Sequence, residues 1–151
     1  MRYFEDIEIG ETHYFGSYAV TREEVLEFAE KYDPQTFHLS DEAAAKTHFG
    51  KISASGWHSC AMTMRMMVDN MHAHPQAGLG SPGVDEIRWL KPVYPGDTLR
   101  CESVTTSKRR SKSRPEMGSM EGTITVYNQN DEAVLTMKSI GLIRVRDAEK
   151  Q

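Results

Sequence analysis

Apolar positions in this chain follow one rhythm up to about residue 75 and another after residue 83. In "SGWHSCAMTMRMMVDNMHAH", Trp57, Ala61, Met64, Val68 and Met71 recur at helical spacing. Cys60, Met62, Met66 and Met67 thicken that stripe until the helix is apolar almost all round, the mark of a buried helix. Residues 56–72 would span roughly 25 Å at 1.5 Å per residue. From Gly83 the texture is that of strands, in "GVDEIRWL", "DTLRCESVTTSK", "GSMEGTITVYNQ" and "AVLTMKSIGLIRVR". Turn signals at "YPGD" (94–97) and "NQND" (128–131) separate some of them, and "SKSRPEMG" (111–118) makes a longer connection.

Before the long helix the pattern is shorter-ranged. A turn at Gly10 precedes a strand at about residues 11–20. Thr21 reads as an N-cap, and "TREE" as a capping box with Glu24 three residues on. Val25, Leu26 and Ala29 give the next helix its apolar face. Pro34 stops it near Tyr32, because a residue before proline avoids helical angles. Ser40 or Asp41 caps a second short helix, "DEAAAKTHF", which Gly50 closes.

The predicted order is strand, two short helices, one long buried helix, then four strands. Strands joined by turns pair antiparallel. The expected fold is therefore α+β, a single domain over residues 1–151 in which one antiparallel sheet wraps one helix, the pattern of a hotdog fold. Such a sheet leaves an edge exposed, which is a liability unless paired. A two-fold homodimer, or an assembly of dimers, is expected.

Composition narrows the function. The 151 residues carry a net charge of -4, a poor basis for general nucleic-acid binding. No apolar run approaches the ~20 residues of a membrane span. The acidic start "MRYFEDIEIGE" does not read as a targeting peptide. Cys60 and Cys101 lack motif spacing and suggest reduced thiols in a cytoplasmic protein. "GLGSPG" (78–83) has the letters of a dinucleotide motif but follows a helix and precedes a strand, the reverse of the required order, so it reads as a loop. His72 and His74 lack a third ligand at familiar spacing, and no metal site is expected.

The stretch "KYDPQTFH" (31–38) sets Asp33 and His38 five residues apart at the end of the first helix. Taken alone, this is a turn that happens to hold an acid and a base. It is followed by a helix opening at Gly56, whose first-turn N–H groups lack helical partners and favour negative charge.

With "YFEDIEIGE", "FAEKYDPQTFHLSDEAAAKTHFG", "SGWH" and "WLKPVYPGDTL", the chain from about residue 3 to 145 resembles the MaoC-like dehydratases, the family of R-specific enoyl-CoA hydratases. Asp33 and His38 keep that family's Asp-to-His spacing. Gln35 stands where Asn is usual, Thr36 where Pro is usual, and Ser55 where a His often precedes the glycine. The resemblance implies a hotdog hydratase or dehydratase interconverting a 2-enoyl-CoA and an (R)-3-hydroxyacyl-CoA. It implies Asp33 and His38 as the pair that activates water and delivers the proton, and Gly56 as the donor to the thioester oxygen. No metal or redox cofactor is expected, since coenzyme A enters as part of the substrate.

The remaining candidates carry alternatives. Gln35 orients the pair, binds substrate or merely braces the loop. Ser55 reads as the N-cap of the long helix and, with Trp57, as a candidate substrate contact. His58 is a weaker one. The basic run "SKRRSKSR" (107–114), with Arg109, Arg110 and Lys112, is either a solvated hairpin end or a seat for the phosphates of coenzyme A. Two rival functions stay open, a hotdog acyl-CoA thioesterase and a non-catalytic acyl-CoA-binding domain. The thioesterase would be helped by a carboxylate near the start of the long helix, where Asp69, about three turns in, is the only one the helix offers.

Overall fold

The computed structural model describes residues 1–146. Its elements are β1 (Thr12–Ala19), α1 (Arg22–Tyr32), α2 (Asp41–Ala45), α3 (Gly56–Ala73), β2 (Gly83–Trp89), β3 (Thr98–Arg110), β4 (Met117–Tyr127) and β5 (Ala133–Arg144). Single 3-10 turns at Phe4–Asp6 and Thr36–His38 are too short to leave a hydrophobic period. The strands form one antiparallel sheet in the order β1-β3-β4-β5-β2. Helix α3 crosses one face of it. Its first residue, Gly56, lies against Trp89 of edge strand β2, and Met66 lies against Gly16 of the opposite edge strand, β1. This is the expected α+β hotdog arrangement.

The core lies between that face and α3. Met62 and Met66 pack with Leu99, Val126, Val134 and Leu135, all at most 3% exposed. Each fully buried aliphatic side chain contributes roughly 1.5–3 kcal/mol. One sheet covers only one side of a helix, so α3 is not buried all round. The buried side is His58, Ser59, Met62, Thr63 and Met66. The predicted stripe faces outward instead, with Trp57 60%, Met64 46% and Met71 37% exposed, and Ala61 exposed beside them.

Two local expectations also need correction. Thr21 caps α1 by accepting from the Glu24 N–H at 3.2 Å. The Glu24 carboxylate does not return the bond. It turns to the Tyr18 hydroxyl and to His58. Helix α2 ends at Ala45 rather than running to Phe49. The Thr47 hydroxyl donates to the Ala44 carbonyl at 2.7 Å and accepts from the Phe49 N–H at 3.2 Å, so a side chain replaces the helical ladder.

Both edge strands are bulged. In β1 the register shifts between Phe15 and Tyr18, where Gly16 adopts φ +87°. In β2 it shifts between Asp85 and Arg88, and Glu86 adopts φ +50°, anchored by Lys138 at 3.0 Å. The extra residue restores face alternation in a useful way. Val84 and Trp89 pair opposite Ser139 and Leu135, on the α3 side, while Asp85 and Arg88 pair opposite Lys138 and Thr136, on the outer side.

A Cβ at Gly16 would fall 2.6 Å from the Met66 sulfur, in a backbone conformation that side chains rarely adopt. Gly16→Ala is expected to destabilise the fold by about 1–3 kcal/mol, read as a lower urea midpoint at unchanged slope. An unchanged midpoint would show that β1 does not need this close approach.

Candidate active site

The site forms where α1 stops. Asp33 is the C-cap of α1, and its N–H reaches the Ala29 carbonyl at 2.9 Å. Pro34 bars continuation. The Gln35 N–H returns to the Asp33 carbonyl at 2.8 Å, and the 3-10 turn closes with the His38 N–H on the Gln35 carbonyl at 2.9 Å. This tight path swings the imidazole back, so that His38 Nε2 lies 3.5 Å from Asp33 Oδ2. His38 is 5% exposed.

Residues 52–55 form the floor beneath this loop, and all four are buried. Their backbone is fixed by the Ile52 N–H donating to Asp41 Oδ1 (3.1 Å) and the Ala54 N–H donating to the Val93 carbonyl (2.8 Å). The Ser53 carbonyl lies 2.7 Å from His38 Nδ1. A carbonyl only accepts, so Nδ1 carries the proton, and in the neutral ring Nε2 is a free base turned to Asp33.

Asp33 is held at both oxygens. Gln35 Nε2 donates to Oδ1 at 2.7 Å and the Ser55 hydroxyl donates to Oδ2 at 2.7 Å. Burial pushes this carboxyl up. The Ser55 and Gln35 hydrogen bonds, joined by the pull of His38 whenever its ring is protonated, outweigh burial and hold it below the usual carboxylate range. Asp33 is thus a carboxylate at neutral pH.

The Ser55 hydroxyl also accepts from the Trp57 N–H at 3.3 Å, capping α3. The next N–H back, that of Gly56, has no hydrogen-bond partner among the described residues. Above Gly56 lies the Trp89 indole, whose Nε1–H donates to the Gly56 carbonyl at 2.8 Å. A Cβ at residue 56 would sit 2.5 Å from that ring, so only glycine fits.

The structure therefore brings together Asp33, His38, Gln35, Ser55 and Gly56. Gln35, which is exposed, and Ser55, which is buried, both donate to the carboxylate. Trp57 stands edge-on to Trp89, with ring centroids 5.3 Å apart. His58 points away from the site. It is buried, stacks on Phe28 at 4.7 Å, and meets Glu24 Oε1 at 3.2 Å. Burial pushes the His58 pKa down, against the pull of Glu24, while burial and Glu24 together push the Tyr18 hydroxyl up to about 12. The Tyr18–Glu24–His58 chain fastens α1 to α3.

Arg109, Arg110 and Lys112 are not brought to Asp33 within one chain. Arg110 pairs with Gly118, which pairs with Ile143, whereas Trp89 pairs with Leu135. Eight positions along β5 separate the two levels, roughly 26 Å at ~3.3 Å per residue. Two site features had no readable signal in the sequence. One is the Ser53 carbonyl, because every residue has a carbonyl. The other is the seat of Trp89 on Gly56, which depends on the β2 bulge.

A family description for the MaoC like domain matches residues 6–128. The Bacillus subtilis protein YdeM is 26% identical over 130 residues, covering 86% of this chain and 90% of its own length. The mesaconyl-CoA hydratase of Cereibacter sphaeroides is 32% identical over 151 residues, covering 97% of this chain, which spans only 42% of that hydratase. The crystal structure of a MaoC-like dehydratase from Rhodospirillum rubrum superimposes with a TM-score of 0.85 at 32% identity, covering 95% of this chain and 97% of its own. With more than half of its length matched and its fold shared with such a structure, this chain belongs to the MaoC-like dehydratase family.

Proposed function

We propose that this hydro-lyase adds water reversibly to a 2-enoyl-CoA to give an (R)-3-hydroxyacyl-CoA. The observation that carries the reading is His38 Nε2 set 3.5 Å from the Asp33 carboxylate, beside a helix N-terminal N–H with no partner among the described residues. Two acceptors at that separation suit one water donating to both. In the forward direction His38 Nε2 takes a proton from the water as its oxygen bonds to Cβ. The Asp33 carboxylate orients the water and stabilises the imidazolium that forms. The Cα–Cβ π electrons move toward the thioester oxygen, which the Gly56 N–H holds while it carries enolate charge. Cα then takes the proton from His38 Nε2, which completes the addition of one water. This acid–base chemistry calls for no metal or redox group, and coenzyme A arrives with the substrate.

The name of the Cereibacter relative puts short, branched, carboxylated enoyl-CoAs first among acyl groups to try. The thioesterase reading loses support because Asp69 is exposed and bound to Arg65 one turn away, at 3.1 Å. No helix among the described residues is long and apolar enough to cross a membrane. Both cysteines are free thiols, which suits a cytoplasmic setting. The basic hairpin, being remote within one chain, would reach coenzyme A phosphates only across an assembly.

A homodimer through β2 is part of this reading. The outward face of α3 and the free edge of β2 join at Trp57 and Trp89, and Val84 and Leu90 on the same edge are 46% and 50% exposed. Two-fold antiparallel pairing centred between Glu86 and Ile87 sets Val84 opposite the partner's Trp89 and Asp85 opposite the partner's Arg88. Because of the bulge, each matched pair shares a face. Neither Asp85 nor Arg88 makes a side-chain hydrogen bond or ion pair among the described residues.

Two outcomes follow. Asp33→Asn and His38→Ala should each lower kcat for enoyl-CoA hydration by roughly 10²–10⁴-fold, with loss of enoyl-thioester absorbance as the readout and an R product in wild type. Release of free thiol in place of hydration would replace this reading with a thioesterase. Neither hydration nor thiol release across a broad panel would leave a binding domain. For the dimer, light scattering should find Arg88→Asp largely monomeric and the Asp85→Arg/Arg88→Asp double variant dimeric again. A single variant as dimeric as wild type would rule out this register.

A further inference from the structure

We propose that Ser55 is a positioning residue whose single hydroxyl couples the two halves of the site, the water-activating pair and the oxyanion donor. The inference rests on the hydratase reading for its catalytic meaning, but the link itself is a matter of geometry. Ser55 is fully buried, at 0% exposure. Its hydroxyl has one proton, and that proton goes to Asp33 Oδ2 at 2.7 Å. Oδ2 is the oxygen that faces His38 Nε2. With the proton committed there, a lone pair is left for the Trp57 N–H at 3.3 Å. Capping Trp57 makes the Gly56 N–H the donor that remains for a ligand oxygen.

Other contacts hold each half from its far side. Gln35 holds Oδ1 of the carboxylate at 2.7 Å, and Trp89 holds the Gly56 carbonyl at 2.8 Å. Among the described residues, only Ser55 hydrogen-bonds to both halves. The Asp33 carboxylate and the start of α3 come from segments 22 residues apart in sequence, yet one oxygen atom bridges them. A substrate must span that separation, with Cβ at the water and the thioester oxygen at Gly56. The Ser55 bridge thus holds the spacing between the two before a substrate binds.

The link also makes the two halves electrically aware of each other. An ionised Asp33 orients and polarises the hydroxyl, which in turn alters the Trp57 amide. Titrating Asp33 should be visible at the start of α3.

Ser55→Gly separates this role from helix capping, because glycine is itself an acceptable N-cap. NMR titration of the Asp33 carboxyl carbon and of the Gly56 and Trp57 amides reads the coupling directly. In wild type, the two amides should shift with the Asp33 midpoint. In Ser55→Gly that response should vanish, and the Asp33 midpoint should move to higher pH, because a donor to the ionised form is gone. With an enoyl-CoA that wild type hydrates, kcat should fall roughly 10- to 100-fold with KM changed less than threefold, the mark of lost alignment. Ser55→Thr, which keeps the hydroxyl, should return the Asp33 midpoint toward wild type. Amides that ignore Asp33 in wild type would overturn the coupling. So would a Ser55→Gly protein with an unmoved midpoint, or one whose only change is a lower melting temperature. Wild-type coupling in a protein that hydrates no enoyl-CoA would instead overturn the hydratase reading and leave the link standing.

Discussion

The Ser53 carbonyl can only accept a hydrogen bond, and His38 Nδ1 lies 2.7 Å from it inside the protein. That one contact decides which imidazole nitrogen is free. It places the lone pair at Nε2, toward Asp33. The rest of the site exists to keep the contact in place. The floor segment is pinned at Ile52 and Ala54, α1 is stopped by Pro34, and the 3-10 turn carries the ring back over the floor. If the carbonyl were displaced, the neutral ring would be free to put its proton on Nε2, toward the Asp33 carboxylate, and lose the base there.

Helix α3 serves two masters. Its inner side closes the core against the sheet, and its first residue presents an N–H to the site. The two demands meet at Gly56, where the peptide must be open to a ligand and the Trp89 ring leaves no room for a Cβ. Trp89 follows the extra residue in β2, where Glu86 takes a left-handed conformation, and pairs opposite Leu135 on the α3 side. Strain at one edge residue thus accompanies the close seat of Trp89 on Gly56, and the same bulge sorts the exposed side chains of β2 into an apolar inner row and a charged outer row. The packing at the start of α3 and the two-row pattern of the β2 edge both involve this one inserted residue.

Elements with a long hydrophobic period were legible in the sequence. Helix α3 and the four later strands lie within a residue or two of where the pattern puts them, and Thr21 and Ser55 are N-caps. The side of α3 that is buried was not legible, because Met and Cys occupy nearly the whole circumference and only the single sheet decides between faces. The reach of α2 was overstated since Thr47 diverts the backbone into a side-chain turn. At the site, Asp33, His38 and Gly56 were legible as a spacing and a helix start. The partners of Asp33 were legible as residue types but not as roles, because Gln35 and Ser55 find the carboxylate only once Pro34 and the floor segment have set the loop. The basic run could be read as charge, but its distance from Asp33 depends on strand register, which no local pattern reveals.

The most direct test of the site is a crystal structure of the protein with a bound (R)-3-hydroxyacyl-CoA of an acyl group that it accepts. The 3-hydroxyl oxygen should lie within hydrogen-bonding distance of both His38 Nε2 and Asp33, with the thioester oxygen on the Gly56 N–H. A thioester bound with its carbonyl away from Gly56, or a 3-hydroxyl that reaches neither His38 nor Asp33, would contradict it.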